Sequence, residues 1–514
     1  MHGRIYFYGL KSCCVQGNVV EFSKHIFFVD FNGKLIQCCI IIYIMKRQHC
    51  KIKRYTYFLE KGREKMDKAN LTLPKSPFRT RGGAKVPHRK NTMNSESVVM
   101  PCPKQVILPM VQHIGAPCKP VVKAGTIVSV GDVIAESEGF VSAPIHATVS
   151  GKVSKITQVK LSNGKMGDAV IIDSDGEMRV SENCKPPVVE TAQDLLNAVK
   201  ASGLVGLGGA GFPTHVKLNV PKDKKADTLV INCAECEPYI TTDNREAIEN
   251  TDNVLNGIVT VMRYLELDRA IIGIEDNKPE AIKILKKAIA DSKEKEAERI
   301  CVLPLKARYP QGAEKVLIKA CTGRVVPVGK LPLDAGCIVM NITSAAFVSS
   351  YIKTGIPLVS KRVTVDGSAV AEAKNVIVPI GTPIKDVIEF CGGYSEPCGK
   401  LISGGPMMGI SLASDEFPIL KQNNAILAFN EKDAVLQKTT DCIRCGRCVS
   451  SCPLSLMPAA IEKSVKLKDV DALNKQGVMV CMECGSCAFN CPAHRPLVQT
   501  MRQGKNLVRS APKK

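Results

Sequence analysis

Tryptophan is absent from the 514 residues, and aromatic residues of all kinds make up 5%. No stripe of Lys and Arg interleaved with aromatic rings occurs, and no nucleic-acid fold signature, so a nucleic-acid partner is not expected. Long apolar runs are also missing. The longest lies near Leu35–Met45, about 11 residues, where a membrane-spanning helix needs about 20. That excludes an integral membrane reading. No leader with a basic end, an apolar stretch and a small-residue cleavage site is evident. The 23 cysteines are under 5% of the chain and odd in number. That is too sparse for a disulfide scaffold, so reduced thiols in a cytoplasm-like compartment are expected. Charged residues at 23% and apolar residues at 45% mark a globular chain, and its length suits about three domains.

What charge there is leans basic. Seventy Lys and Arg against 49 Asp and Glu give +21. Residues 1–65 carry 12 Lys/Arg against 4 Asp/Glu, and so +8 of that total. They also hold Cys13, Cys14, Cys38, Cys39 and Cys50 and show no sustained period of 2 or 3.6. A basic membrane-surface arm is one reading. The other is that Met66 is the true start, because codons for Gly62-Arg63 can read as a purine-rich ribosome-binding sequence. The remaining +13 fits a solvated surface or acidic protein partners. The end from Gln503, with Lys505, Arg509, Lys513 and Lys514, reads as a frayed basic tail.

The strongest chemistry lies near the C-terminal end. Residues 441–453 read DCIRCGRCVSSCP and residues 480–492 read VCMECGSCAFNCP. Both contain Cys-x2-Cys-x2-Cys-x3-Cys-Pro, repeated 39 residues apart. Three thiolates at this spacing wrap one iron–sulfur cube, and the fourth is carried to the other cube. One cluster is therefore expected on Cys442, Cys445, Cys448 and Cys491. The other is expected on Cys481, Cys484, Cys487 and Cys452. Structural zinc would need two cysteine pairs, leaving the third close Cys and the repeated Cys-Pro unexplained. Leu454–Val480 between the runs reads as helical. Cys102, Cys118, Cys184, Cys301, Cys321, Cys337, Cys391 and Cys398 read as small buried apolar residues. Cys233 and Cys236 form a lone Cys-x-x-Cys.

Two further segments point to a nucleotide. Residues 203–217 read GLVGLGGAGFPTHVK, in which Gly206, Gly208 and Gly211 fit Gly-x-Gly-x-x-Gly. The preceding Ala192–Ala201 reads as helix, so the usual strand-then-glycine placement fails. Glycines still let backbone N–H groups approach a phosphate or a flat ring. Residues 227–245 read DTLVINCAECEPYITTDNR. Thr228–Asn232 is a buried-strand candidate that ends in polar residues, and ligands bind beyond such strand ends.

GLGGAGFPT followed by NCAECEP, with YPQGAEK (309–315) and GCIVMNITS (336–344), resembles the flavin- and NADH-binding subunit of respiratory complex I. The resemblance implies that Gly206, Gly208, Gly209, Gly211, Thr214 and Lys217 flank FMN. It implies Asn232 and Asn341 as further FMN contacts. It places NAD(H) at Glu235 and Glu237, with Phe212 stacking nearby. Cys236 stands where that family has glycine.

Upstream, residues 112–153 resemble the barrel-sandwich fold of biotinyl and lipoyl carriers, without the carrier lysine. Downstream, residues 362–410 suggest a small β-grasp module of the SLBB type. The expected architecture is thus multidomain α/β and α+β. It runs from a doubtful leader (1–65) to a barrel-sandwich hybrid (66–185), a complex-I-like FMN/NADH domain (186–355) and the β-grasp (356–425). A bis-[4Fe–4S] ferredoxin-like domain (426–500) and the basic tail (501–514) complete it. This order, with QHIGAP, GLGGAGFPTHVKL, NCAECEPYITTDNR and CIRCGRC…CMECGSC, resembles the peripheral subunit of the Rnf family of ion-translocating ferredoxin:NAD oxidoreductases. The resemblance covers about residues 76–500.

It implies two [4Fe–4S] clusters, FMN and NAD(H) as cofactors, and no side-chain acid or base for hydride transfer. It implies the A, B, D, E and G components of that complex as partners, with ferredoxin acting indirectly. The place would be the cytoplasmic face of a bacterial cell membrane, without a span. The coupled Na⁺ or H⁺ movement would lie in the partners. A soluble flavin and iron–sulfur cobalamin reductase is an alternative, although its kind begins near the flavin loop. The A component of a Na⁺-translocating quinone reductase would share the front domains but lack these clusters. A non-catalytic electron-relay and docking module is the last. GGAKVPHRK (82–90) departs from the family's usual Gly-Gly-x-His-Pro-Pro.

Overall fold

The structure is a computed structural model. It describes residues 72–512, together with the backbone of four short strands among the first 67 residues. There Ser12–Cys13 pairs with Glu21–Phe22, and Lys24–Val29 with Leu35–Ile40, both antiparallel. The expectation that the native chain starts at Met66 lies outside the described residues. Residues 72–512 fall within a single compact unit.

Short strands bounded by glycine turns build the first module. Gln105–Pro109, Met166–Ser174, Gly151–Lys160 and Ile127–Val128 form one sheet in that order. Ile145–His146, Val133–Glu136 and Lys119–Pro120 form a second. Val106, Leu108, Ile134, Ile145, Val153 and Ile172 are buried in the core. At Gly151, φ is +149 and a Cβ would stand 2.1 Å from the Asp173 carbonyl oxygen, so the long hairpin can only turn in here on glycine.

The next layer is parallel. Its strands are β1 (Thr228–Cys233), β2 (Arg269–Glu275), β3 (Ile300–Leu305) and β4 (Cys337–Asn341), in the order β3-β2-β1-β4. Every residue of β2 is buried, as a central parallel strand requires. Helices α1 (Thr242–Glu249), α2 (Thr251–Tyr264), α3 (Pro279–Asp291), α4 (Glu314–Thr322) and α5 (Ile342–Thr354) intervene or follow. Helices α2 and α5 approach so closely that a Cβ on Gly257 would lie 1.8 Å from the Ala345 oxygen. The chain winds outward from β1 through β2 to β3, then returns to place β4 on the other side of β1. The reversal between β1 and β4 opens a crevice at their carboxyl ends.

A six-stranded mixed sheet follows, ordered Ile410–Leu412, Cys398–Ser403, Ala425–Asn430, Ser360–Asp366, Lys374–Pro379 and Val98–Val99. The sequence boundary at 425 cuts this sheet's third strand, because Ala425–Asn430 pairs with both neighbours. Val98–Val99 joins its far edge from the front of the chain. Lys421 knots three modules together. Its ammonium donates to the carbonyls of Pro144 at 2.6 Å and Gly203 at 2.8 Å, and Lys361 donates to its own carbonyl at 2.8 Å.

The last module gathers Ile461, Leu473, Val478 and Met501 into a small core. Leu454–Val480 is helical as expected, over Pro458–Lys466 and Val470–Lys475. The tail does not fray. Leu497–Ser510 is a 14-residue helix whose Met501 packs into that core, and its Lys505 bonds Glu483 at 2.6 Å. Apolar residues at helical spacing, hidden among the basic ones, explain the correction. Cys398 is exposed, contrary to expectation, while Cys118, Cys321, Cys337 and Cys391 are buried. Among the described residues no helix is long and apolar enough to cross a membrane.

Candidate functional site

The crevice between β1 and β4 is edged by an asparagine from each strand. Asn232 and Asn341 are partners in the parallel register. Each is held by backbone. Asn232 Nδ2 donates to the Gly312 carbonyl at 2.8 Å, and its Oδ1 accepts from the Ala234 N–H at 3.2 Å. Asn341 Oδ1 caps α5 by accepting from Thr343 N–H at 2.9 Å and Ser344 N–H at 3.4 Å. Its Nδ2 donates to Asp243 at 2.8 Å.

The glycine loop packs against Asn341. Helix Ala192–Ala201 precedes it and the short helix Thr214–Leu218 follows, so the loop opens a helix without following a strand. Gly206 N–H donates to the Phe212 carbonyl at 2.9 Å, which ties the loop's ends. A Cβ on Gly208 would lie 2.4 Å from Asn341 Nδ2, so that position has no room for a side chain. Gly208, Gly209 and Ala210 are exposed, whereas Gly211 is buried against Gln422. Lys217 pairs with Glu314 at 3.6 Å, at the start of α4. Two buried acceptors, Gln422 Oε1 and Glu237 Oε1, have no partner of their own among the described residues. A tight glycine cradle, two oriented amides and unfilled acceptors suit a flat ring with polar edges and a phosphate.

The acidic loop is organised from within. Glu235 sits at φ +49 and turns its carboxylate onto the start of α1. It accepts from Asp243 N–H at 2.6 Å and from Asn244 N–H at 3.3 Å. Its carboxylate thus has a cap role that the resemblance did not assign. Glu237 accepts from Met407 N–H at 3.0 Å, and burial pushes its carboxyl up to about 7. Lys90, from the unusual GGAKVPHRK segment, donates to the carbonyls of Glu235 at 2.8 Å, Glu237 at 2.9 Å and Ile240 at 2.5 Å. Lys278 donates to the Ala234 carbonyl at 2.8 Å and lies 3.7 Å from Glu275. Cys236 Sγ accepts from Gly312 N–H at 3.3 Å, and burial raises its thiol far above the ordinary range. A raised pKa works against a thiolate redox pair there.

Asp243 is pushed from 3.8 to about 7, by burial first and then by the neighbouring Glu235 charge. Hydrogen bonds from Asn341 and Thr343 oppose the shift. Between those values the folded chain holds a proton that the unfolded chain has lost. The group's contribution to stability is complete below pH 3.8 and is lost as pH rises through about 7. Asp243→Asn keeps both partners, so its melting temperature should fall less than the parent's between pH 4 and 7. Parallel melting curves would show that Asp243 is already charged when folded.

The two cysteine runs share one backbone course. Arg444 and Glu483 have φ of 55 and 60, and Ser455 and His494 have φ of 57 and 48. Gly446 and Gly485, at φ 74 and 81, cap four-residue helices, Arg447–Ser450 and Ser486–Phe489. Cys452, Cys481, Cys484 and Cys487 together line one cavity. Burial, then the neighbouring thiols of Cys484, Cys481 and Cys452, raise Cys487 to about 12. Cys448 is raised by burial and feels Cys491 and Cys442. Backbone N–H groups already face two sulfurs, from Leu456 to Cys452 at 3.3 Å and from Glu483 to Cys481 at 3.4 Å. Four thiols with inward N–H donors are a donor set suited to an iron–sulfur cube.

Four family matches cover these modules. Residues 78–177 match the RnfC barrel sandwich hybrid domain, 199–350 the Nuo51 FMN-binding domain, 362–411 the SLBB domain and 434–506 the 4Fe–4S dicluster domain. A relative from Clostridium ljungdahlii, the C component of a proton-translocating ferredoxin:NAD(+) oxidoreductase complex, is 43% identical over 73% of this chain and 81% of its own length. The chain belongs to the RnfC family. An Acetobacterium woodii member, named as the C component of a Na(+)-translocating complex, is 42% identical over 83% of this chain and 96% of its own. A Rhodobacter capsulatus member, from an ion-translocating oxidoreductase complex, is 38% identical over 85% and 84%.

An RnfC chain therefore carries an FMN-binding domain and a two-cluster domain around the geometry above. The structure brings Gly208 against Asn341, Asn341 into register with Asn232, and Lys217 against Glu314. Glu237 stands at the side facing the second cysteine run. Sequence reasoning missed Lys90, Lys278 and Tyr309, and placed Asp243 only in the polar cluster at the strand end. Nothing in YPQGAEK itself says that Tyr309 Oη donates to the Cys484 carbonyl at 2.6 Å.

Proposed function

We propose that this chain is the NADH-handling peripheral subunit of an Rnf complex at the cytoplasmic face of a bacterial membrane. Its partners are the A, B, D, E and G components of that complex, through which ferredoxin communicates and Na⁺ or H⁺ moves. The relatives' names, each the C component of an ion-translocating oxidoreductase complex, support that assignment. The carrying observation is local. Asn232 and Asn341 face each other at the sheet's reversal point, with Gly208 against Asn341, and Asn232 bonds Gly312, three residues after Tyr309, whose hydroxyl donates to the Cys484 carbonyl.

Bound FMN supplies exchange between two-electron hydride chemistry and single-electron transfer. The protein's own residues do the rest. Gly208 gives close backbone approach, and the amides of Asn232 and Asn341 present fixed polar edges. Gly206–Gly211, Thr214 and Lys217 form one wall. Cys442, Cys445, Cys448 and Cys491 hold one cluster; Cys481, Cys484, Cys487 and Cys452 hold the other. Glu237, with one free oxygen and a proton held to about pH 7, can accept from or donate to a nucleotide hydroxyl. Phe212 lies beside the loop for stacking.

The test is anaerobic reconstitution of the full chain with iron, sulfide and FMN, followed by visible absorbance on adding NADH. Bleaching of flavin and cluster bands together is the expected result. An unreduced flavin would leave only the non-catalytic relay reading.

A further inference from the structure

The two cysteine runs repeat in sequence and backbone, yet their surroundings differ. Cys484 is 8% exposed, and Cys452, Cys481 and Cys487 are half-buried. Three pieces of other modules press on this set. Tyr309, 2% exposed, bonds the Cys484 carbonyl from the loop after β3. The loop at Met407 reaches both sides: its N–H bonds Glu237, and its carbonyl lies 3.2 Å from where Gly485 would carry a Cβ. The strap at Gly82–Ala84 packs on the backbone of Cys452, and Gly83 N–H donates to the Ser451 carbonyl at 2.7 Å. Ala84 and Tyr309 then exchange backbone hydrogen bonds at 2.7 and 3.2 Å.

Chain length bounds the separation from the crevice. Gly312 accepts from Asn232 and Tyr309 contacts Cys484. Three residues span at most about 11 Å between their Cα atoms. Glu237 provides a second short path through Met407.

Among the described residues, nothing comparable covers the first three cysteines of the first run. From Val435 to Arg447 every residue is exposed, and the segment has no regular secondary structure before Arg447. Cys442 and Cys445 are exposed thiols, and Leu436 at 82% and Ile443 at 68% are exposed in the same segment.

We propose that the two sets are unequal by construction: Cys452, Cys481, Cys484 and Cys487 form the inner site, joined to the crevice by Tyr309 and the Glu237–Met407 contact, and Cys442, Cys445, Cys448 and Cys491 form the outer site, through which electrons enter or leave the chain. This rests on the reading of the crevice as the NADH site. One hydride carries two electrons, which leave as two single transfers to a one-electron acceptor such as ferricyanide, with one proton released. The same balance holds in reverse.

The test compares Cys484→Ala with Cys445→Ala in the full chain loaded with FMN and iron–sulfur clusters. With NADH, Cys445→Ala should bleach both flavin and the remaining cluster. Cys484→Ala should bleach flavin while the remaining cluster stays oxidised over the same interval. Equal cluster bleaching in both, or the reverse pattern, overturns the order.

A second readout needs no turnover. Exposed to an aqueous anionic iron chelator, the parent should lose about four of its eight irons first. Cys484→Ala, keeping the outer site, should lose its iron fast, and Cys445→Ala slowly. Equal rates overturn the proposal even if NADH never reduces the flavin, so the two readings fail separately. Tyr309→Phe keeps the ring and removes one hydrogen bond. It should shift the paramagnetic resonance signal of the reduced inner cluster alone. A shift in the outer signal instead counts against the order.

Discussion

Changing Cys452 and Cys481 together to alanine should leave the protein with about half of its iron, whereas Cys452→Ala with Cys442→Ala should remove nearly all of it. The difference follows from crossed ligation. If each run held its own cube, Cys452 would share a cluster with Cys442, and the two outcomes would be exchanged. The structure places Cys452 on the cavity of Cys481, Cys484 and Cys487, 29 residues away along the chain from the nearest of them. The reason is a turn. After Cys452 the chain passes Pro453 and reaches Ser455 at φ 57, which swings it away from the first run. After Cys491, Pro492 and His494 at φ 48 repeat the course. Iron analysis with absorbance near roughly 400 nm reads the outcome.

Lys90→Met should weaken the molecule and its handling of NADH together. The ammonium gathers three carbonyls from the acidic loop, so methionine leaves three acceptors facing an apolar chain. Orphaned buried acceptors cost about 1–3 kcal/mol each, though not additively. The expected loss is roughly 3–5 kcal/mol, at the high end for one substitution. Burial also lowers the Lys90 ammonium to about 8, opposed chiefly by the Glu235 charge. The folded chain therefore binds this proton less than the unfolded chain between about 8 and 10.5. Lys90 contributes stability that is gained as pH rises across that window and lost as pH falls through about 8. Thermal melting between pH 7 and 10 measures both effects, since the variant loses this rise. The loop that Lys90 gathers carries Glu235 and Glu237, so flavin reduction by NADH should slow in the variant. Unchanged melting and reduction would mean that the ends of β1 and α1 hold the loop without it.

Neither Lys90 nor Tyr309 could be found from the chain alone. Lys90 lies in a segment without periodic pattern, and its partners are more than 140 positions away. Backbone carbonyls have no residue type, so no motif records that they need a donor. Glu235 illustrates the converse. Its place in NCAECEP marks it for a ligand, but the positive φ turns the carboxylate back onto α1. A count of the tail's charges hides Met501 and Val508, which share one helical face.

Covalent spacing determined what the sequence could say by itself. Cysteines three and four residues apart, a glycine pair and an amide at a strand end are local constraints, so cofactor class, module order and family were all legible there. The inner and outer character of the two cysteine sets was not. The runs share their cysteine spacing, their glycine, the closing Cys-Pro and their backbone course, and the spacing does not record what packs on each. The strap at Gly82–Ala84, the Met407 loop and Tyr309 arrive from three distant parts of the chain. Burial and short contact between distant segments exist only once the modules are packed, so tertiary structure alone decided which site adjoins the crevice.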